Sequence, residues 1–173
     1  MAGTQRENGT KIPSGAVTLP RASDLLVPER VRIPLRGLSK EDVLSDLVDV
    51  VAQSLGMDAQ REEILQAVLE REEVLSTGIG DGIALPHAKY NGLSELVMAA
   101  GSTLEPVNYG ALDGEPVRLV FLLLGPDSAA GAHVRALSRL SRLMREVSLR
   151  QRLAAAANAE EFLDLLVAAE GAG

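Results

Sequence analysis

Few side chains in this 173-residue chain are suited to chemistry near neutral pH. There are two histidines, His87 and His133, and no cysteine. That leaves no thiolate nucleophile, disulfide framework or zinc–thiolate site. Imidazole is the side chain that titrates in the physiological range and serves as a neutral nucleophile. His87 closes the run Ile83-Ala84-Leu85-Pro86-His87. A buried-type run ending in Pro-His puts the ring at the end of a strand, where sites collect in open α/β sheets. The alternative is a loop histidine bonded to backbone. His133 follows Gly131-Ala132 at the start of a helical pattern. A helix N-terminus carries free amide hydrogens and a partial positive charge, which favour a nearby anion and a neutral ring. The alternative is a first-turn residue facing solvent.

Other constellations are weaker. Gly78, Gly80 and Gly82 alternate. Such a loop either presents amides to an anion or makes a tight turn. It is not a Walker loop, because no Gly-Lys-Ser/Thr follows. The two histidines with Asp81 would supply three metal ligands, but neither His-x-x-x-His nor His-Glu-x-x-His spacing is present. A serine triad would lack its Gly-x-Ser-x-Gly elbow. Arg135, Arg139, Arg142 and Arg145 share one helix face, either solvated or a docking surface for an acidic partner.

These residues need a frame. Val31, Ile33 and Leu35 alternate as a short strand, and Pro34 confines it to an edge or an irregular position. Ser39 opens a capping-box pattern, followed by Val43, Leu44, Leu47, Val48, Val51 and Leu55 at helical spacing, and Gly56 stops that helix. Asp58 can cap a second helix with Ile64, Leu65, Val68 and Leu69 inward. Leu96 to Thr103 reads as a strand. Val117 to Leu124 is almost wholly apolar, as expected of a sheet centre buried on both faces. Asn108-Tyr109-Gly110 and Asp113-Gly114 are turn signals. A long helix should start near Ala132 with Val134, Leu137, Leu140, Leu143, Met144 and Val147 as its stripe. Ser148 and Asn158 can cap two shorter helices. Helices flank strands at both ends of the chain, so the class is α/β. Strand order is not readable.

Composition excludes several classes. The net charge is −7, from 17 basic and 24 acidic residues. Phosphate backbones are held by excess basic charge, so nucleic acid is not an expected partner. Aromatic residues number only two phenylalanines and two tyrosines, which leaves an aliphatic core and no stacking platform. No apolar run approaches the roughly 20 residues of a membrane span. Residues 1 to 20 mix glycine, proline and single charges without periodicity. They are expected to be a flexible tail before one domain over residues 21–170. The first 19 residues lack the apolar stretch of a signal peptide, which predicts a cytoplasmic protein.

Together these segments resemble a family. REEVLSTGIGDGIALPH, from Arg71 to His87, is similar to the phosphorylation-site signature of the fructose/mannitol-type enzyme IIA of the bacterial phosphoenolpyruvate-dependent sugar phosphotransferase system, including its nitrogen-regulatory version. GAHVRALSRLSRLM, from Gly131 to Met144, resembles the family's second histidine segment. LLVPERVRI, LDGEPVRLVFLLLGP and LRQRLAAAANAEEFLDLL agree in order and spacing, so the resemblance runs from Ala22 to Val167.

The resemblance implies a single α/β domain whose mixed sheet has helices on both sides. It implies that His87 takes a phosphoryl group, through Nε2, from the phosphohistidine of HPr or a similar carrier. His133 would be the second active-site histidine and Arg71 the active-site arginine. Thr77 and the amides around Gly78 would add phosphate-binding donors. The group would pass to a IIB cysteine for sugar uptake. In the regulatory version, phosphorylation would instead control binding to target proteins. Phosphoryl exchange between imidazoles depends on positioning and charge stabilisation, so no metal or other cofactor is expected. Two positions depart from the family pattern. Asp81 stands where Asn or Gly is common, which would place extra negative charge near the phosphate. Ala132 stands where a polar or acidic residue often precedes the second histidine.

Overall fold

The computed structural model describes residues 21–172, so the expected tail over residues 1–20 lies outside the described residues. Among the described residues six strands form one open mixed sheet: β1 (Val31–Leu35), β2 (Gly78–Gly80), β3 (Ile83–Ala84), β4 (His87–Lys89), β5 (Val97–Val107) and β6 (Val117–Gly125). Their order is β1-β5-β6-β3-β2, with β4 also paired to β6. Strand β1 runs parallel to β5, β5 antiparallel to β6, and β3 and β4 both parallel to β6. The helices are α1 (Lys40–Leu55), α2 (Arg61–Val74), α3 (Ala130–Leu143), α4 (Val147–Ala154) and α5 (Ala159–Gly171).

Strand alternation separates two cores. Ala84, Ala88, Val120, Leu122 and Leu124 face one side and pack with Val43, Leu47, Ile64 and Val68 of α1 and α2. Ile83, Leu85, Leu119, Phe121 and Leu123 face the other side, with Leu140, Leu153, Phe162 and Leu166 of α3, α4 and α5. Successive strand residues point to opposite faces, so a central strand covered on both sides must be apolar throughout. That is the pattern of β6, whose inward residues from Leu119 to Gly125 are all buried.

Pro34 sits in β1, which among the described residues lies at the sheet edge and pairs only with β5. Ser39 caps α1, its hydroxyl accepting from the Asp42 amide, and Gly56 ends it at φ 65°. Asn158 caps α5 by accepting from the Glu161 amide.

Four expectations need correction. Asp58 makes no side-chain cap: a short 3₁₀ turn, Asp58–Gln60, intervenes and α2 starts at Arg61. Helix α4 starts at Val147 with Glu146 before it, so Ser148 lies inside the helix rather than at its cap. Strand β5 extends four residues past Thr103, to Val107. Helix α3 begins near Ala132 as expected, at Ala130, but its apolar stripe differs: the buried residues are His133, Ala136 and Leu140. Val134 and Val147 are exposed instead of lying on the apolar stripe. The imidazole occupies the inward position that the stripe gave to Val134.

Candidate active site: two imidazoles at the end of the sheet

His87 owes its place to an interrupted strand. Ile83 and Ala84 pair with Leu119 and Val120, and His87 and Ala88 pair with Leu123 and Leu124 in the same register. Pro86, which has no N–H, breaks the ladder between them, although its carbonyl accepts from the Leu123 amide at 2.9 Å. By alternation His87 shares the face of Ile83 and Leu85, the side covered by α3. There its ring meets His133, centroid to centroid at 5.4 Å and inclined by 71°.

The two rings are held differently. His87 Nδ1 lies 2.9 Å from the Leu85 carbonyl oxygen. A carbonyl only accepts, so Nδ1 carries the hydrogen and donates it, leaving the Nε2 lone pair free. Burial lowers the His87 pKa below its ordinary value, and the nearby Arg71 charge lowers it further; the Leu85 bond and Glu72 work against this. The neutral nucleophilic form is therefore favoured.

His133 is 5% exposed, in the first turn of α3. The solvent-facing reading is wrong for it. Both of its ring nitrogens are buried with no hydrogen-bond partner among the described residues. Burial, followed by the neighbouring His87 and Lys89, pushes its pKa down to about 4. A neutral imidazole has one donor and one acceptor, and leaving them unpaired costs about 1–3 kcal/mol each. The two unpartnered nitrogens thus lie on a ring whose centre is 5.4 Å from that of His87.

Arg71 lies in the last turn of α2, with Nη1 donating to the Leu75 carbonyl at 3.0 Å. Its charge is felt at His87. Thr77 is buried, and its donors are already engaged: the amide to Glu72 Oε1 at 3.0 Å and the hydroxyl to Glu72 Oε2 at 2.5 Å. The Gly78 amide donates to Ser76 Oγ at 3.2 Å.

The glycines have separate jobs. A Cβ on Gly78 would meet the Ala111 Cβ at 2.7 Å, so close packing explains this residue. Gly80 and Gly82, at φ 100° and 78°, make the tight turn between β2 and β3. Asp81 lies in that turn at φ 57°, a conformation that Asn, Asp and Gly tolerate best. Four registered positions on β6, about 13 Å at strand rise, separate the partners of Ile83 and His87, and Asp81 lies beyond Ile83. Its charge is thus at the far end of the sheet, not beside His87. It lines a cleft of about 600 Å³ with Asp113, Arg118 and Arg150, to which neither histidine contributes.

Reading the sequence for chemistry overlooked Glu72, Lys40 and Tyr109. Glu72 is buried, and it accepts from Thr77 and from Lys40, whose Nζ lies 2.9 Å from Oε1. A signal was available: Ile64, Val68 and Glu72 follow one another at four-residue spacing, which places the carboxylate on the inner face of α2.

Residues 24–169 match the family model for the phosphoenolpyruvate-dependent sugar phosphotransferase system, EIIA 2. The chain is 35% identical over 148 residues to a nitrogen regulatory protein of Pseudomonas aeruginosa, covering 85% of this chain and 95% of that one. It is 34% identical over 146 residues to the fructose-specific EIIABC component of Bacillus subtilis, covering 84% of this chain but 23% of that longer protein. Among solved structures, nitrogen regulatory protein IIA-Ntr from Neisseria meningitidis superposes with a TM-score of 0.77 at 29% identity, covering 83% of this chain and 97% of that one. The mannitol IIA of Escherichia coli shares the fold, with a TM-score of 0.68 at 22% identity over 82% of this chain and 98% of that one. The chain belongs to the EIIA 2 family of the phosphoenolpyruvate-dependent sugar phosphotransferase system.

Proposed function

We propose that this protein is a phosphoryl carrier that accepts the group on His87 Nε2 from the phosphohistidine of an HPr-like protein. The observation that carries this is the paired state of the rings. One nitrogen of His87 is fixed by the Leu85 carbonyl, and the ring stands 5.4 Å from a second imidazole with unpartnered polar atoms. The Nε2 lone pair attacks phosphorus and the donor's P–N bond breaks. The donor ring, protonated on its other nitrogen, leaves as neutral imidazole with that electron pair. The Nδ1 hydrogen stays with Leu85, so no proton has to move.

In this reading His133 donates to a phosphoryl oxygen, and Arg71 offers a planar, permanently charged fork to the others. Thr77 and Gly78 would have to leave their present partners to bind phosphate, so we assign them to the frame of the site. Neither ring needs a metal for this exchange. The onward step is attack by a IIB cysteine thiolate, with the P–N electron pair returning to Nε2. The mannitol IIA of Escherichia coli has been solved in complex with phosphorylated IIB mannitol.

The cytoplasm, where such carriers meet, is the compartment that fits; no described helix is long and apolar enough to cross a membrane. A second reading has its own support. The match to nitrogen regulatory proteins spans nearly their whole length, which favours control of target proteins by the phosphorylation state of His87.

Incubation with enzyme I, HPr and phosphoenolpyruvate should give acid-labile phosphate on His87, absent in His87→Ala. Full labelling of that variant overturns the assignment. His133→Ala and Arg71→Ala should still be labelled, each about a hundredfold more slowly, the usual cost of losing one donor to a developing anion. Rapid passage to a IIB cysteine would select transport, and a stable phosphate with a state-dependent partner would select regulation.

A further inference from the structure

A buried carboxylate stands behind the histidine pair. Glu72 Oε1 accepts from the Thr77 amide at 3.0 Å and from Lys40 Nζ at 2.9 Å. Its Oε2 accepts the Thr77 hydroxyl at 2.5 Å. A threonine hydroxyl has one hydrogen, and it is spent on Glu72. The Tyr109 hydroxyl therefore donates its own single hydrogen, chiefly to Thr77 Oγ1 at 3.0 Å, with Glu72 Oε2 3.4 Å from the same oxygen. Lys40 Nζ also lies 4.9 Å from the centre of the Tyr109 ring. A carboxylate this deeply buried is tolerated only with such a set of partners.

The network reaches the site from two directions. Along α2, Glu72 is the residue after Arg71. Across the loop, the Thr77 carbonyl accepts from the Leu85 amide at 3.0 Å, and the Leu85 carbonyl accepts from His87 Nδ1 at 2.9 Å. One carboxylate thus anchors both the helix end that carries Arg71 and the strand that sets the His87 tautomer. Lys40 also balances its charge, which would otherwise repel an incoming phosphoryl group.

We propose that Glu72, held by Lys40, Thr77 and Tyr109, is a positioning residue: it fixes Arg71 relative to His87 and keeps the Leu85 carbonyl where it holds Nδ1 protonated and Nε2 free. The proposal rests on the reading of His87 as the phosphoryl acceptor, although its first readout does not.

The test is imidazole ¹⁵N NMR of the full chain at neutral pH, beside the rate of phosphate capture from HPr. The parent protein should show His87 in the Nδ1–H tautomer. Glu72→Ala should populate both tautomers and slow capture by roughly ten- to a hundredfold, the range expected for misplaced groups. Glu72→Gln still accepts from the Thr77 amide and should restore most of both. A folded Glu72→Ala with the parental tautomer overturns the proposal whatever its rate. If Glu72→Ala does not fold, Thr77→Val takes its place, since it keeps the backbone bonds and loses only the hydroxyl. A second tautomer is then expected, and the parental state alone overturns the proposal. If the parent takes no phosphate while the tautomer still shifts in the variants, the acceptor reading fails and the positioning role stands.

Discussion

His133 spends folding free energy to stay neutral. Its ordinary pKa is about 6.5, and burial beside His87 and Lys89 brings it to about 4. A lowered folded-state value means that the unfolded chain binds the proton more tightly. Stability is therefore complete above about pH 6.5 and is lost as pH falls toward 4. The span corresponds to about 3 kcal/mol. His133→Leu removes the titrating group and keeps an apolar filling. Between pH 7 and pH 4.5, urea unfolding of the parent should lose some 2–3 kcal/mol more than the variant, the carboxylates contributing equally to both. Equal losses would mean that the ring is solvated in solution. His87 is lowered too, so its contribution has the same sign and remains in both proteins.

The glycine-rich segment divides space-filling from conformation. Gly78 lies against Ala111 and Tyr109, at 2.7 Å and 3.1 Å from an added Cβ. Gly78→Ala should therefore destabilise by about 1–3 kcal/mol through overpacking. Gly110 at φ 72° has open space around it, so Gly110→Ala should cost about 1 kcal/mol through the backbone alone. A Gly78→Ala protein of parental stability that captures phosphate poorly would restore the ligand-approach role to this glycine. The same contrast explains what the sequence could disclose. Caps at Ser39 and Asn158, the stop at Gly56 and the apolar run of β6 depend on local chemistry or a simple period, so they were legible. The start of α4 was not, because Glu146 offers no side-chain cap and Ser148 imitates one. The inward turn of His133 was hidden because a valine stands beside it and carries the stronger apolar signal. Glu72 reads as one more solvated charge in Arg71-Glu72-Glu73 until Lys40 arrives from α1 to neutralise it. Strand order depends on crossovers, to which no local pattern refers.

At the scale of the molecule, the proposed phosphoryl transfer makes charge and apolar surface decide how a donor would approach. The chain carries −7 overall, which complements a carrier with basic residues around its phosphohistidine. The arginine stripe on α3 would oppose this if it faced the site. It does not: at 100° per residue Arg142 is half a turn of azimuth from His133, with Arg135 and Arg139 within 60° of that opposite direction. Arg139 and Arg142 line a groove against α4 and α5 together with Leu149 and Leu165. The exposed apolar residues that accompany the site residues are Val74 and Leu75 after Arg71, and Val134 after His133. Leu85, two residues before His87, is buried and unavailable for such contact, whereas Ile79 is exposed. Complementary charge chiefly raises the association rate, and salt screens it over about 8 Å at physiological ionic strength. Buried apolar contact is insensitive to that screening. Raising salt from 50 to 500 mM should thus slow second-order phosphate capture several-fold and change the final phosphorylated fraction little. Val134→Asp should slow capture at every salt concentration if the exposed Val134 belongs to the donor contact of the proposed transfer, because it places a charge there. A capture rate that is flat or rises with salt would overturn the steering argument and point to a neutral or acidic donor.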